Sequence, residues 1–130
     1  MSGVRFPAVD SQTIVTVNFQ NAEVALVTIP SFTPSFDFSR IFLIWYLAVT
    51  LGTGFTNLTL RVRRGSGTAG TLVNIALAAT VTASQALYFS GSYADTPGAV
   101  AGQQYTLTAQ GTAATGNATV NDVSMLAFAL

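Results

Sequence analysis

Residues 38–64, FSRIFLIWYLAVTLGTGFTNLTLRVRR, hold two strands of opposite character. Ile41 to Leu51 is apolar at every position except Thr50. A half-buried strand alternates apolar with polar residues, so an unbroken run asks for both faces out of water. The run stops at Gly52, far short of the ~20 residues a membrane span needs, and no membrane partner is expected. Ile41, Phe42, Ile44, Trp45, Tyr46 and Val49 are β-branched or aromatic, which favours a strand over a buried helix. Past Gly52-Thr53-Gly54, Leu58, Leu60 and Val62 alternate with Asn57, Thr59, Arg61 and Arg63, the pattern of one buried face and one polar face. The pair reads as a hairpin. One face of every strand in a sandwich is core, so the second face of 41–51 predicts a cover from another copy or a larger assembly. Ile41, Leu43, Trp45, Leu47 and Val49 are assigned to that oligomer interface, and a trimer is expected.

Composition narrows the function classes. The sequence has 130 residues, enough for one domain. It is 50% hydrophobic but only 8% charged, with five arginines, five acids, no lysine and no histidine. Roughly 25% charge is ordinary for a soluble domain, so a neutral chain this poor in charge should associate. Nucleic acid binding needs clustered cations to displace counterions, and the one cluster is Arg61, Arg63 and Arg64; no nucleic-acid partner is expected. Cysteine is absent, which excludes disulfides and thiolate metal sites. The opening residues MSGVRFPAVDSQ lack the apolar core of a signal peptide.

Taken in order, residues 1–11 carry Pro7 and no periodicity, and read as an extended arm that reaches onto a neighbour. Residues 12–130 then form a single domain. Gln12–Phe19 and Glu23–Ile29 are strands, the second stopped by Pro30, which cannot donate to a ladder. The loop 31–39 holds Phe32, Phe36 and Phe38, residues expected to cap one end of the core. After the 41–64 pair come a glycine-rich turn at 65–70 and strands at 71–80 and 86–93. Asp95-Thr96-Pro97-Gly98 is a turn, because proline presets φ and glycine tolerates positive φ. Gln103–Ala109 alternates, and Ala118–Leu130 changes phase near Asn121-Asp122, as a β-bulge would make it. Eight short antiparallel strands with even turn spacing predict an all-β jelly-roll sandwich. An immunoglobulin-like sandwich competes, but Trp45 stands without flanking cysteines.

The stretch LRVRRGSGTAGTLV, residues 60–73, resembles a pattern of phage virion proteins, in which a strand ends in basic residues and a Gly/Thr turn leads into the next strand. Asp95-Thr96-Pro97-Gly98 followed by Ala101-Gly102-Gln103-Gln104-Tyr105-Thr106-Leu107 fits the same pattern, so the resemblance covers about residues 40–130. It implies a small jelly roll, often trimeric. Such proteins serve as capsid cement (decoration) proteins on a viral major capsid protein, or as fibre or spike heads. The implied location is the virion surface, after synthesis in the host cytoplasm. The pattern defines no catalytic residues.

The chemistry available agrees with a structural role. Histidine, cysteine and lysine are missing, and the acids Asp10, Glu23, Asp37, Asp95 and Asp122 fall in five different segments. No enzyme and no cofactor are expected. The turn at 65–70 lacks the lysine and helix of a phosphate loop. Arg61, Arg63 and Arg64, with Arg5 of the arm, are assigned as a partner contact, since the guanidinium fork suits carboxylates of a neighbouring subunit. The competing reading is a solvated strand face that blunts edge pairing. Tyr46, Tyr88, Tyr93 and Tyr105 support a second function, the receptor- or glycan-binding head of a fibre or spike. A shell protein packaging RNA would carry a basic arm, and residues 1–11 hold only Arg5.

Overall fold

The computed structural model describes residues 5–17, 21–32, 40–82, 85–97, 102–113 and 117–129. They form eight strands: β1 Arg5–Val17, β2 Val24–Thr28, β3 Ile41–Leu51, β4 Phe55–Arg64, β5 Thr71–Thr80, β6 Ala86–Asp95, β7 Tyr105–Ala113 and β8 Ala118–Ala129. One sheet has the order β1-β8-β3-β6 and the other β2-β7-β4-β5. Every neighbouring pair is antiparallel. Each connection except β4–β5 crosses from one sheet to the other, which is the winding of a jelly-roll sandwich. The bulge near Asn121 is present: β3 faces Asp122 at Ala48 but Val120 at Val49, so Asn121 is the extra residue.

The core is filled by the inward phase of each strand. Ile41, Leu43, Trp45, Leu47, Val49 and Leu51 of β3 meet Leu58, Leu60 and Val62 of β4, with Tyr105, Leu107 and Ala109 of β7 beside them. Val120, Val123, Met125 and Ala127 of β8 complete the opposite wall. Two glycines make room for aromatic rings. A Cβ on Gly91 would lie 2.7 Å from Trp45 Cζ2, and one on Gly111 would overlap the Phe55 ring. Phe32 is buried and its ring stacks on Tyr105 at a centroid distance of 6.3 Å, as expected of a capping residue. Phe36 and Phe38 lie outside the described residues.

Three expectations are corrected. β3 and β4 are not a hairpin: they lie in opposite sheets, and Gly52-Thr53-Gly54 is a corner between them. The Gly52 N–H donates to the Asn117 carbonyl at 2.8 Å, tying this corner to the start of β8, and Gly54 takes φ 93°. Alternation in sequence records which face is buried, not which sheet a strand joins, so a two-strand reading could not distinguish the cases. Second, residues 5–11 are not a free arm. Their backbone is extended, but it belongs to β1, which pairs with β8 from Arg5↔Ala129 through Ser11↔Ser124 and on to Val17↔Ala118. Pro7 sits where the register slips, between Arg5 and Ala8, so the ladder accommodates a residue without an N–H. Third, Ile41, Leu43, Trp45, Leu47 and Val49 all point into the core of their own chain.

Two stability outcomes follow from this packing. Deleting residues 1–11 removes half of the β1 ladder, at about 0.5–1.5 kcal/mol per hydrogen bond, and should lower Tm by several degrees in a calorimetric melt. A free arm would leave it unchanged. Gly111→Ala forces a methyl group into the Phe55 ring and should cost about 1–3 kcal/mol in a denaturant titration.

Candidate interaction surface

With one phase of β3 committed to the core, the other phase faces out, and it too is apolar. Phe42, Ile44, Tyr46 and Ala48 alternate down the outer face of the β1-β8-β3-β6 sheet, ending at Thr50. Cross-strand pairing sets Phe128 of β8 against Phe42 and Leu126 against Ile44. The Phe42 and Phe128 rings stack at 5.6 Å with planes 13° apart. On the other side β6 contributes Tyr88, opposite Ala48. Ile44 is 45% exposed and Tyr88 68%, while Phe42, Tyr46, Leu126 and Phe128 are half-buried. This is a patch of adjoining large apolar side chains in water, of the kind that marks an interaction site. The sequence reading predicted an apolar second face on β3 but assigned it the wrong alternate residues. Thr50, the one polar member of the run, carries the signal that even-numbered positions face out.

Arg61 and Arg63 occupy the outer face of the other sheet, Arg64 follows the inward phase at the end of β4, and all three have partners in the same chain. Arg63 donates to Glu23 through Nε (2.5 Å to Oε2) and Nη2 (2.8 Å to Oε1), and its Nη1 reaches the Gly70 carbonyl at 2.9 Å. Arg61 Nη1 lies 3.6 Å from Glu23 and donates to Gln110 Oε1 at 2.9 Å. Thr108 Oγ1 donates to Glu23 Oε2 at 2.6 Å. One network therefore spans Glu23 just ahead of β2, Thr108 and Gln110 on β7, Arg61 and Arg63 on β4, and the turn before β5. Hydrogen bonding from Arg63 holds the Glu23 carboxyl below its ordinary value; burial opposes this, and Thr108 and Arg61 reinforce it. The clamp on a neighbour's carboxylates is thus corrected: Glu23 and Asp95 of the same chain already fill that role.

Arg64 does something different. At the end of β4 it grips Asp95 at the end of β6, with Nε to Oδ2 at 2.9 Å and Nη2 to Oδ1 at 2.6 Å. The Tyr105 hydroxyl, at the start of β7, donates to Asp95 Oδ2 at 2.6 Å. β6 belongs to one sheet and β4 and β7 to the other, so this triad clasps the sandwich shut at one end. Asp95 is only 5% exposed. Burial pushes its carboxyl up, but the bonds from Arg64 and Tyr105 outweigh that and hold it below the ordinary value. Burial, then the bond to Asp95, pushes the Tyr105 hydroxyl far up, so it stays a donor. The Arg5 backbone lies in β1, and its side chain is outside the described residues. The four tyrosines do not gather into one platform: Tyr46 and Tyr88 face outward, Tyr93 lies in the inward phase of β6, and Tyr105 is in the core.

Replacing Arg61, Arg63 and Arg64 by Gln should destabilise the isolated chain, because Glu23 and Asp95 lose their charged donors. Tyr105→Phe alone should cost about 2 kcal/mol, as a buried bond to a carboxylate is lost. Depressed carboxyls stabilise the fold above their unfolded pKa, and that contribution fades as pH falls through the folded value. Tm should therefore stay level from pH 7 to about 5 and drop below about pH 4, which a calorimetric pH series measures.

No protein-family model matches the chain, and no curated protein does. Solved structures do share its fold. The VP2 subviral particle of infectious bursal disease virus matches with a TM-score of 0.60 at 10% identity, over 95% of this chain and 32% of that chain. The T13 particle of the same virus matches with a TM-score of 0.57 at 11% identity, over 98% of this chain and 36% of that chain. Dimeric latent PorU from Porphyromonas gingivalis matches with a TM-score of 0.52 at 5% identity, over 95% of this chain and 13% of that chain. The chain spans about a third of the length of the viral proteins it matches. At these identities the likeness establishes the fold, an antiparallel β-sandwich shared with viral capsid proteins.

Proposed function

We propose that this chain is a non-enzymatic structural protein of a virion, a cement or decoration protein that self-associates and stabilises a viral shell. The observation that carries the reading is the apolar outer face of the β1-β8-β3-β6 sheet, with Phe42, Ile44, Tyr46, Leu126 and Phe128 side by side. A solitary domain gains nothing from keeping these side chains wet, and each one buried against a partner contributes on the order of 1.5–3 kcal/mol. A few per subunit suffice to hold a trimer. The capsid-type fold supports the same reading, as does a sequence with few charges and no net charge. In this reading the outer face joins the subunits, and the trimer sits on the major capsid protein at the virion surface.

Two measurements test it. Light scattering on the purified chain should report a trimer at micromolar concentration, and Ile44→Lys with Leu126→Lys should give a folded monomer, since neither residue is in the core. A wild-type monomer would refute the self-association. Gradient-banded particles from a lysate of the source culture should contain the chain in fixed ratio to the main shell protein by quantitative mass spectrometry. Its absence from the particles would refute the virion role.

A further inference from the structure

Four strands end the two sheets: β1 and β6 in one, β2 and β5 in the other. An edge strand offers a row of unpaired N–H and C=O groups, and proteins blunt such edges with proline, charge, short length or bulges. β1 carries Arg5, Pro7 and Asp10, and its register slips between Arg5 and Ala8. β2 has 5 residues, slips between Ala25 and Val27, and runs toward Pro30. β5 slips twice against β4, at Leu60/Arg61 and at Val62/Arg63. β6 has none of these devices up to its last residue, Asp95, which is buried and paired with Arg64. Its 10 residues pair with β3 without a slip, from Ile41↔Asp95 to Thr50↔Ala86. It contains no proline, and the sequence has no charged residue between Arg64 and Asp95. Its outward side chains are exposed and, Tyr88 apart, small: Ala86, Ser90, Ser92 and Ala94. β5 packs beside β6 on the same side of the sandwich and adds Leu72 and Ile75, 44% and 57% exposed.

We propose that β6 is a self-pairing edge, which joins β6 of a second copy antiparallel across a two-fold axis and fuses the two β1-β8-β3-β6 sheets into one. A two-fold contact sets each residue against a patch identical to its own, so any charge there would face its like. From Thr71 to Ala94 this wall has no charge to repel, and Asp95 at its end is neutralised by Arg64. It is also large enough. A 10-residue strand is ~33 Å long, and two sheets ~10 Å apart with their outer side chains make a wall ~20 Å high, so a pair of copies would bury ~1,300 Å², within the range of stable specific interfaces. Pairing at β6 keeps the outer apolar faces of both copies on one continuous surface. The contact therefore adds a two-fold link to the outer-face contact proposed above and uses different residues.

The absence of native cysteine makes the test clean. Single variants Ala86→Cys, Tyr88→Cys, Ser90→Cys, Ser92→Cys and Ala94→Cys are oxidised mildly and scored for covalent dimer. Across a two-fold antiparallel pair only residues near the axis meet their own copies, with Cα atoms about 4.5–5.5 Å apart, within disulfide reach. Cross-linking should peak sharply at one or two of the five positions. In the wild type, hydrogen exchange of β6 amides should slow as protein concentration rises, and Ser90→Lys with Ser92→Lys should abolish that slowing. Absent or uniform cross-linking, concentration-independent exchange, or protection of β6 only when another particle protein is present would each overturn self-pairing. A trimer by light scattering without β6 cross-links would refute this contact and leave the outer-face contact standing. Cross-linked dimers from a chain that forms no trimer would do the reverse.

Discussion

A strand has two faces and a small sandwich has one core, so a central strand that is apolar throughout leaves one of its faces open. β3 is that strand. Its odd-numbered residues from Ile41 to Leu51 fill the middle of the sandwich, where Trp45 packs on Gly91 and Leu43, Leu47 and Val49 are fully buried. Its even-numbered residues lie on the outside with Leu126 and Phe128 of β8 as neighbours. Moving β3 by one residue would exchange the two sets, and the exchange would cost little in hydrophobicity because both are apolar. What fixes the register is size and detail: the room that Gly91 leaves for the Trp45 ring, the bulge at Asn121, and the charged end of the strand ladder at Asp95.

Charge is the second constraint, and five of the seven charged side chains described are paired with one another. Glu23 gathers Arg61, Arg63 and Thr108 on one sheet, and Asp95 gathers Arg64 and Tyr105 between the sheets. Thr106 works the same way without charge: its hydroxyl donates to the Gly65 carbonyl and accepts from the Gly67 N–H, pinning the 65–70 turn over the sheet. The Glu23 network is local to the sheet β2-β7-β4-β5, and the Asp95 triad sits at one end between the two sheets. The opposite sheet is left with an outer face of apolar and hydroxyl side chains on the strands β3 and β6, which neither attracts nor repels by charge.

The strand count, the end of β3 at Leu51, the inward phases of β4 and β7 and the bulge in β8 were all legible in the sequence, because each is a local pattern of period two. The jelly-roll class followed from the number and spacing of those strands. Three things were not legible, for one physical reason: they depend on pairing across long separations. Whether Leu51 and Phe55 flank a hairpin or a corner depends on β8 and β6, which take the places beside β3. The strand from Arg5 looked like an arm because its partner, β8, begins more than a hundred residues later. Arg63 and Arg64 looked free because Glu23 and Asp95 lie far along the chain from them. The phase of β3 was the one error with a local remedy, since Thr50 marks the outer set.

The winding also orders events in time. β1 has β8 as its partner, β2 has β7, and β3 sits between β8 and β6, so none of the first three strands pairs with another of the three. As the chain is made from its N-terminus, these strands find no ladder until the second half of the sequence has emerged. The β4–β5 hairpin is the one sheet contact available early. Meanwhile the apolar run from Ile41 to Leu51 has neither a core nor a neighbour, and closing such distant pairs is slow. A chain of this design passes through an interval in which its stickiest segment is bare, an opening for chaperone capture or aggregation that ends when β8 enters between β1 and β3.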